Sequence, residues 1–200
     1  MFLDPEKPIS KHRWGLPHWH QDGTYVFVTW RLADSLPIAV VQRLQIERNE
    51  WTLSHPKPWD QKIALECQRR FVLPLEEKLD DCHGSCCLRD PNNRRIVTDA
   101  LHHFDQQRYH LSSYVVMPNH VHVLLQLREA FPLAEVIHSL KRFTARELNK
   151  QLNRREPLWQ SKYWDRLIRS QRHFNWVTKY IEKNPGRLPQ EQFTLWSEGL

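Results

Sequence analysis

Apolar side chains fall on alternate positions through residues 24–32 (TYVFVTWRL), a stretch rich in β-branched and aromatic residues, which predicts a strand. From Pro37 the period lengthens: Ile38, Val41 and Leu44 fall three apart, predicting a helix that reaches Trp51. A break at 55–58 separates it from a second helical stretch over 60–79, and 81–92 (DCHGSCCLRDPN) reads as a loop. Ile96, Val97, Ala100, Leu101 and Phe104 mark one side of a helix over 94–104. Residues 108–117 (RYHLSSYVVM) and 120–127 (HVHVLLQL) are strands, joined into a hairpin by Pro118-Asn119. Over 133–150, Leu133, Val136, Ile137, Leu140, Phe143 and Leu148 form one helical stripe, with Arg142 and Arg146 on the other side. A break at 153–157 leads into 158–169 (LWQSKYWDRLIR), which has room for one short strand. Ser170 then caps a last helix that Asn184-Pro185-Gly186 ends.

The order β-α-α-α-β-β-α-(β)-α predicts an α+β domain over 1–200, a small antiparallel sheet with helices on one face. Residues 1–22, rich in Pro, His and Trp without a period, are expected as an N-terminal arm. Residues 40–90 are expected as a helical insertion without an assigned role.

Charge sharpens this picture. Between residues 141 and 187 stand 13 Lys/Arg against 4 Asp/Glu, a local +9 in a chain of net +6. The basic character belongs to about one quarter of the chain and points to an anionic partner, with nucleic acid the usual one. Lys141, Arg142, Arg146, Lys162, Arg166, Arg169 and Arg172 could follow phosphates, and Trp159, Tyr163 and Trp164 could stack on unpaired bases. The competing reading puts the Trp side chains in the core and the Arg side chains in solvent. Gly is scarce, which argues against a Gly-rich phosphate loop. The N-terminus has no apolar signal segment and no apolar run is long enough to span a bilayer, so a cytoplasmic protein with reduced thiols is expected. Cys82, His83, Cys86 and Cys87 lack a second knuckle, so small half-buried thiols are expected there rather than a zinc site.

Two constellations carry candidate chemistry. His120 and His122 are two apart on a strand and share its face, spaced to hold one divalent metal; the bland reading is a polar strand face in a chain with 12 His. Tyr180 and Asn184 are four apart on a helix, at the edge of the stripe made by Phe174, Val177 and Ile181. Asn184 offers a hard carbonyl oxygen suited to Mg²⁺ or Mn²⁺. The bland reading is a half-buried Tyr and a helix-ending Asn. Taken together, two His and an amide oxygen leave metal positions open for a phosphate oxygen, and a Tyr hydroxyl beside them could attack the polarised phosphodiester.

These residues lie in blocks that resemble a known family. VVMPNHVHVLL (115–125) resembles the HUH metal motif of single-tyrosine, IS-type transposases. SLKRFTAREL (139–148), LWQSKYWDRLIR (158–169) and YIEKNPGRL (180–188) resemble the later blocks of one branch, the REP-associated tyrosine transposases. TYVFVTWRLADSLP (24–37) and the 90–122 stretch resemble it too. The resemblance implies a ferredoxin-like (RRM-like) sheet with helices packed on it, the HUH pair on a strand, and Tyr180 as nucleophile on a C-terminal helix. It implies Asn184 as third metal ligand, with Mg²⁺ or Mn²⁺ bound. It implies a bacterial, nucleoid-associated enzyme, monomer or homodimer, that nicks and rejoins single-stranded DNA at REP-type hairpins through a 5′-phosphotyrosine. Gly186-Arg187 after Pro185, and Pro157 where Gly is usual, depart from the family pattern. Two alternatives stand beside this one: a non-catalytic DNA or RNA hairpin-binding regulator, and a metal-dependent hydrolase that would leave Tyr180 without a role.

Overall fold

The computed structural model describes every residue except 1, 5, 7–9, 15, 57, 58, 187 and 200. Its centre is a five-stranded antiparallel sheet in the order β6-β3-β5-β4-β7, with β3 Tyr25–Arg31, β4 Tyr109–Val116, β5 His120–Leu127, β6 Trp164–Leu167 and β7 Thr194–Ser197. The helices are α1 Ile38–Ser54, α2 Gln61–Cys67, α3 Leu73–Asp80, α4 Pro91–His103, α5 Leu133–Gln151 and α6 Gln171–Lys183. Leaving out β7, the path β3-α4-β4-β5-α5-β6 with order β6-β3-β5-β4 is the ferredoxin-like βαββαβ topology, so the α+β expectation holds. The short strands β1 Ser10–Trp14 and β2 Leu16–His20 pair with each other in a separate two-stranded sheet, in the stretch expected as an arm.

Strand alternation builds two different faces. Val26, Val28 and Trp30 of β3 and Val121, Val123 and Leu125 of β5 enter the main core with Val97 and Leu101 of α4 and Val136, Ile137 and Leu140 of α5. The intervening residues Phe27 and Leu124 face the other way, with Val115, and pack against Val177 and Ile181 of α6. An irregularity between Leu111 and Ser113 resets the alternation in β4, so Leu111, Tyr114 and Val116 all reach the main core. Asp90 caps α4 by accepting from the Asn92 N–H at 2.8 Å, with Pro91 in the first turn; Ser170 caps α6 by accepting from the His173 N–H at 3.2 Å.

Three expectations need correction. Helices cover both faces of the sheet, because α6 crosses the face opposite α4 and α5. The 60–79 helix is interrupted by a π-helical turn at Gln68–Val72, just before Pro74, whose ring and missing N–H cannot continue an ideal helix. Phe143 leaves the α5 stripe and is 44% exposed, with the Arg146 guanidinium 5.5 Å from its ring centroid. The insertion has its own small core of Trp51, Cys67 and Phe71. All four cysteines are free, and the buried Cys86 thiol donates to the Cys82 carbonyl at 2.8 Å. No helix among the described residues is long and apolar enough to cross a membrane.

Candidate active site

The alternation that sends Val121 and Val123 into the main core puts His120 and His122 on the α6 face, both almost wholly buried. Their ring centroids are 4.7 Å apart. Each ring is held at Nδ1: His120 by Asn119 Oδ1 at 2.7 Å, and His122 by Thr29 Oγ1 at 2.7 Å, its register partner on β3. In the tautomer that gives each Nδ1 the proton, both Nε2 atoms carry lone pairs. Phe27 stacks on His122 with centroids 5.4 Å apart. Burial pushes the His120 imidazolium down to about 3, opposed by the nearby Asn184 side chain. Burial, and then His120, push His122 well below its ordinary value. Both imidazoles are therefore neutral at pH 7, the state in which imidazole binds metal.

Helix α6 brings the other two candidates. The Tyr180 ring stands edge-on to His122 at 5.4 Å and to Phe27 at 5.8 Å. Asn184, at the C-cap of α6, lies against His120. Neither His120 Nε2 nor Asn184 Oδ1 has a hydrogen-bond partner, and both atoms are buried. Buried polar atoms without partners are uncommon, and here a ring nitrogen and an amide oxygen with lone pairs to give share one pocket. That donor set fits a divalent metal better than it fits a packed core. Among the described residues, no group of three or more His, Cys, Asp or Glu is gathered for a metal, so an amide would have to complete the set.

The candidate nucleic-acid residues separate into groups. Trp164 and Arg166 of β6 pair with Thr29 and Phe27, so they share the face of the two His; Trp164 meets Phe27 edge-on at 5.6 Å. Arg166 and Arg169 both lie close enough to His173 to help burial push it down to about 4. Arg169 and Arg172, either side of the Ser170 cap, are exposed, as is Lys162. Arg142 and Arg146 are exposed too, but on α5, which covers the opposite face of the sheet. Lys141 Nζ is occupied by the carbonyls of Gln160 and Ser161 at 2.7 and 2.8 Å. Tyr163 is half-buried against the main core. Trp159 departs from its expectation: it is 6% exposed, meets Trp30 edge-on, and donates Nε1–H to Thr144 Oγ1 at 2.9 Å, so its faces are closed to a base.

Sequence reasoning missed Trp176. It is 55% exposed and lies parallel to Tyr180, centroids 5.8 Å apart. Its spacing of four from Tyr180 on one helix was the available signal. Asn119 was read only as a turn residue, although it adjoins His120. Thr29 carried no local signal, because its partner lies on another strand.

Residues 89–184 match the family model described as "Transposase IS200 like". That segment, just under half of the chain, holds His120, His122, Tyr180 and Asn184 and is similar to IS200-like transposases. Seven chains of solved structures match. One is a REP-associated tyrosine transposase bound to a REP hairpin, 14% identical, covering 88% of this chain and 72% of that one with a TM-score of 0.46. No curated protein matches the chain.

Proposed function

We propose that this protein is a tyrosine transesterase that nicks and rejoins single-stranded DNA, with Tyr180 as nucleophile and His120, His122 and Asn184 as the residues that hold a divalent metal. One observation carries the reading: a Tyr ring edge-on to a neutral His, beside an unpartnered Nε2 and an unpartnered amide oxygen buried together. A bound Mg²⁺ or Mn²⁺ would supply Lewis-acid polarisation of the scissile phosphodiester.

The protein's own residues do the rest. The Tyr180 oxygen attacks phosphorus and forms the Tyr–O–P bond. The P–O3′ bond breaks, and the leaving 3′ oxygen ends as a hydroxyl, taking up the proton released from Tyr180. The product is a 5′-phosphotyrosine that conserves the phosphodiester's energy, so a 3′-hydroxyl can reverse the step and rejoin strands. Phe27 and Trp176 flank the Tyr180 ring and restrict its orientation. Trp164, Arg166, Arg169 and Arg172 supply the strand-binding surface beside it, with phosphates on the Arg side chains and bases on aromatic faces. The similarity of residues 89–184 to IS200-like transposases and the ordered motif blocks favour palindromic, REP-type hairpins as substrate.

The test is a panel of single-stranded hairpin DNAs incubated with Mn²⁺ and resolved on a denaturing gel. A covalent protein–DNA adduct is expected with wild type and not with Tyr180→Phe. Hairpin binding with no adduct from either protein, in Mn²⁺ or Mg²⁺, would replace this reading with a non-catalytic hairpin-binding protein.

A further inference from the structure

The helical insertion reaches the candidate metal site through its last residues. Asn119 is fully buried. Its Nδ2 donates to the Leu79 carbonyl at 3.1 Å and to the His83 carbonyl at 3.3 Å. Both carbonyls come from the end of α3 and the turn after it, and both can only accept. The amide must therefore turn its NH₂ toward them and its oxygen toward His120, 2.7 Å from Nδ1. An oxygen there accepts the Nδ1 proton, which leaves the lone pair on Nε2.

Asn184 lies beside the same segment. The Asp80 carboxylate at the C-terminal end of α3 lies near its side chain, and the same side chain lies against His120. A carboxylate can only accept, which favours the Asn184 NH₂ on its side and leaves Oδ1, buried without a partner, for the site. Two carbonyls within five residues thus fix the polarity of the Asn119 amide, and the Asp80 carboxylate between them in sequence faces the Asn184 amide.

The segment that carries these acceptors is itself pinned. Gly84 has φ +87°, and a Cβ there would stand 2.3 Å from the Asp34 carbonyl oxygen. The Ser85 N–H donates to Asp34 Oδ2 at 2.9 Å. The turn is thereby fastened to the loop that follows β3, the strand carrying Thr29.

We propose that residues 79–83 of the helical insertion are positioning residues for the metal site, setting the His120 tautomer through Asn119 and the Asn184 carboxamide through Asp80. This rests on the reading of His120, His122 and Asn184 as ligands given above. The insertion thereby acquires a role, since it presents acceptors to a site built on a sheet it does not join.

The test is Mn²⁺ binding by titration calorimetry on the full chain without DNA, with long-range ¹H–¹⁵N correlation of the imidazoles in the metal-free protein. Asn119→Ala is expected to weaken Mn²⁺ roughly 10- to 100-fold, the usual effect of removing a group that holds a metal-binding His. It should also release His120 from the single Nδ1–H tautomer. Asn119 is buried, so Asp80→Ala and Gly84→Ala, both on the exposed segment, accompany it. Each should weaken Mn²⁺ on the order of 10-fold, with circular dichroism unchanged and, for Gly84→Ala, every ligand still present. Wild-type affinity in Asp80→Ala and Gly84→Ala, with an unchanged His120 tautomer in folded Asn119→Ala, overturns the positioning role alone. No Mn²⁺ binding by wild type overturns the ligand reading, and this inference with it.

Discussion

Thr29→Val isolates one hydroxyl of the site. The Thr29 Oγ1 to His122 Nδ1 contact is 2.7 Å, at the short end for such a bond, between residues 6% and 1% exposed. Valine replaces the hydroxyl by a methyl of similar size, so no cavity opens and the backbone pairing of β3 with β5 is untouched. What remains is a buried ring N–H with no acceptor and no room for water. Leaving such a donor unsatisfied costs about 1–3 kcal/mol. For a chain of this size about 2 kcal/mol corresponds to a fall in Tm of roughly 4–8 °C. His122 could escape the penalty by moving its proton to Nε2, but that removes the lone pair offered to a metal. The variant is therefore expected to lose stability, or to lose roughly 10-fold or more in Mn²⁺ affinity, or both. Urea unfolding of the metal-free protein and Mn²⁺ calorimetry measure the two arms. A variant with wild-type unfolding midpoint and wild-type Mn²⁺ affinity would refute the claim that Thr29 holds His122.

Tyr180→Phe keeps the ring contacts with Phe27 and His122, so it should fold and bind hairpin DNA as wild type does, while the denaturing gel shows no adduct. Trp176→Ala should weaken single-stranded DNA binding by about 1–3 kcal/mol, the worth of one base stack, in anisotropy titrations at fixed salt; unchanged affinity would mean that its exposed face meets no base. Trp159→Ala should instead cost about 3–5 kcal/mol of stability in urea unfolding, because its ring fills the core between Trp30 and Thr144. His173 is pushed down to about 4 by burial and by Arg166 and Arg169, so the unfolded chain binds its proton more readily than the folded one. Its contribution is present above its ordinary value of about 6.5 and is lost as pH falls toward 4. The urea midpoint of wild type should fall more steeply over that interval than that of His173→Asn, and parallel curves would contradict the assignment.

The order of core elements was legible because each buried stripe is local: Val97, Ala100 and Leu101 announce α4 by their spacing, and Val121 and Val123 announce one side of β5. The His pair and the Tyr180–Asn184 spacing were legible for the same reason, since both residues of each pair lie on one element. Contacts between elements were not. Nothing near Thr29 signals that it faces His122, and nothing near Asp80 signals Asn184. β7 escaped notice because its four residues, three of them half-buried, are too few to show an alternation and borrow their pairing from β4. Composition misled at Trp159: aromatic residues among cations resemble a stacking surface, yet the ring faces inward because residue 159 bridges to Leu32 and packs beneath α5.

The parity of β5 ties folding fidelity to chemistry. His120, His122 and Leu124 occupy one face while Val121, Val123 and Leu125 occupy the other. A slip of a single residue against β3 would drive two imidazoles into the aliphatic layer beneath α4 and α5 and turn three aliphatic side chains toward Tyr180. Such a chain would have neither a core nor a site, so the mistake removes itself from the folded population. A preparation that melts cooperatively should therefore contain no fraction that is folded and yet lacks the paired imidazoles, and its content of intact sites should equal its content of folded molecules.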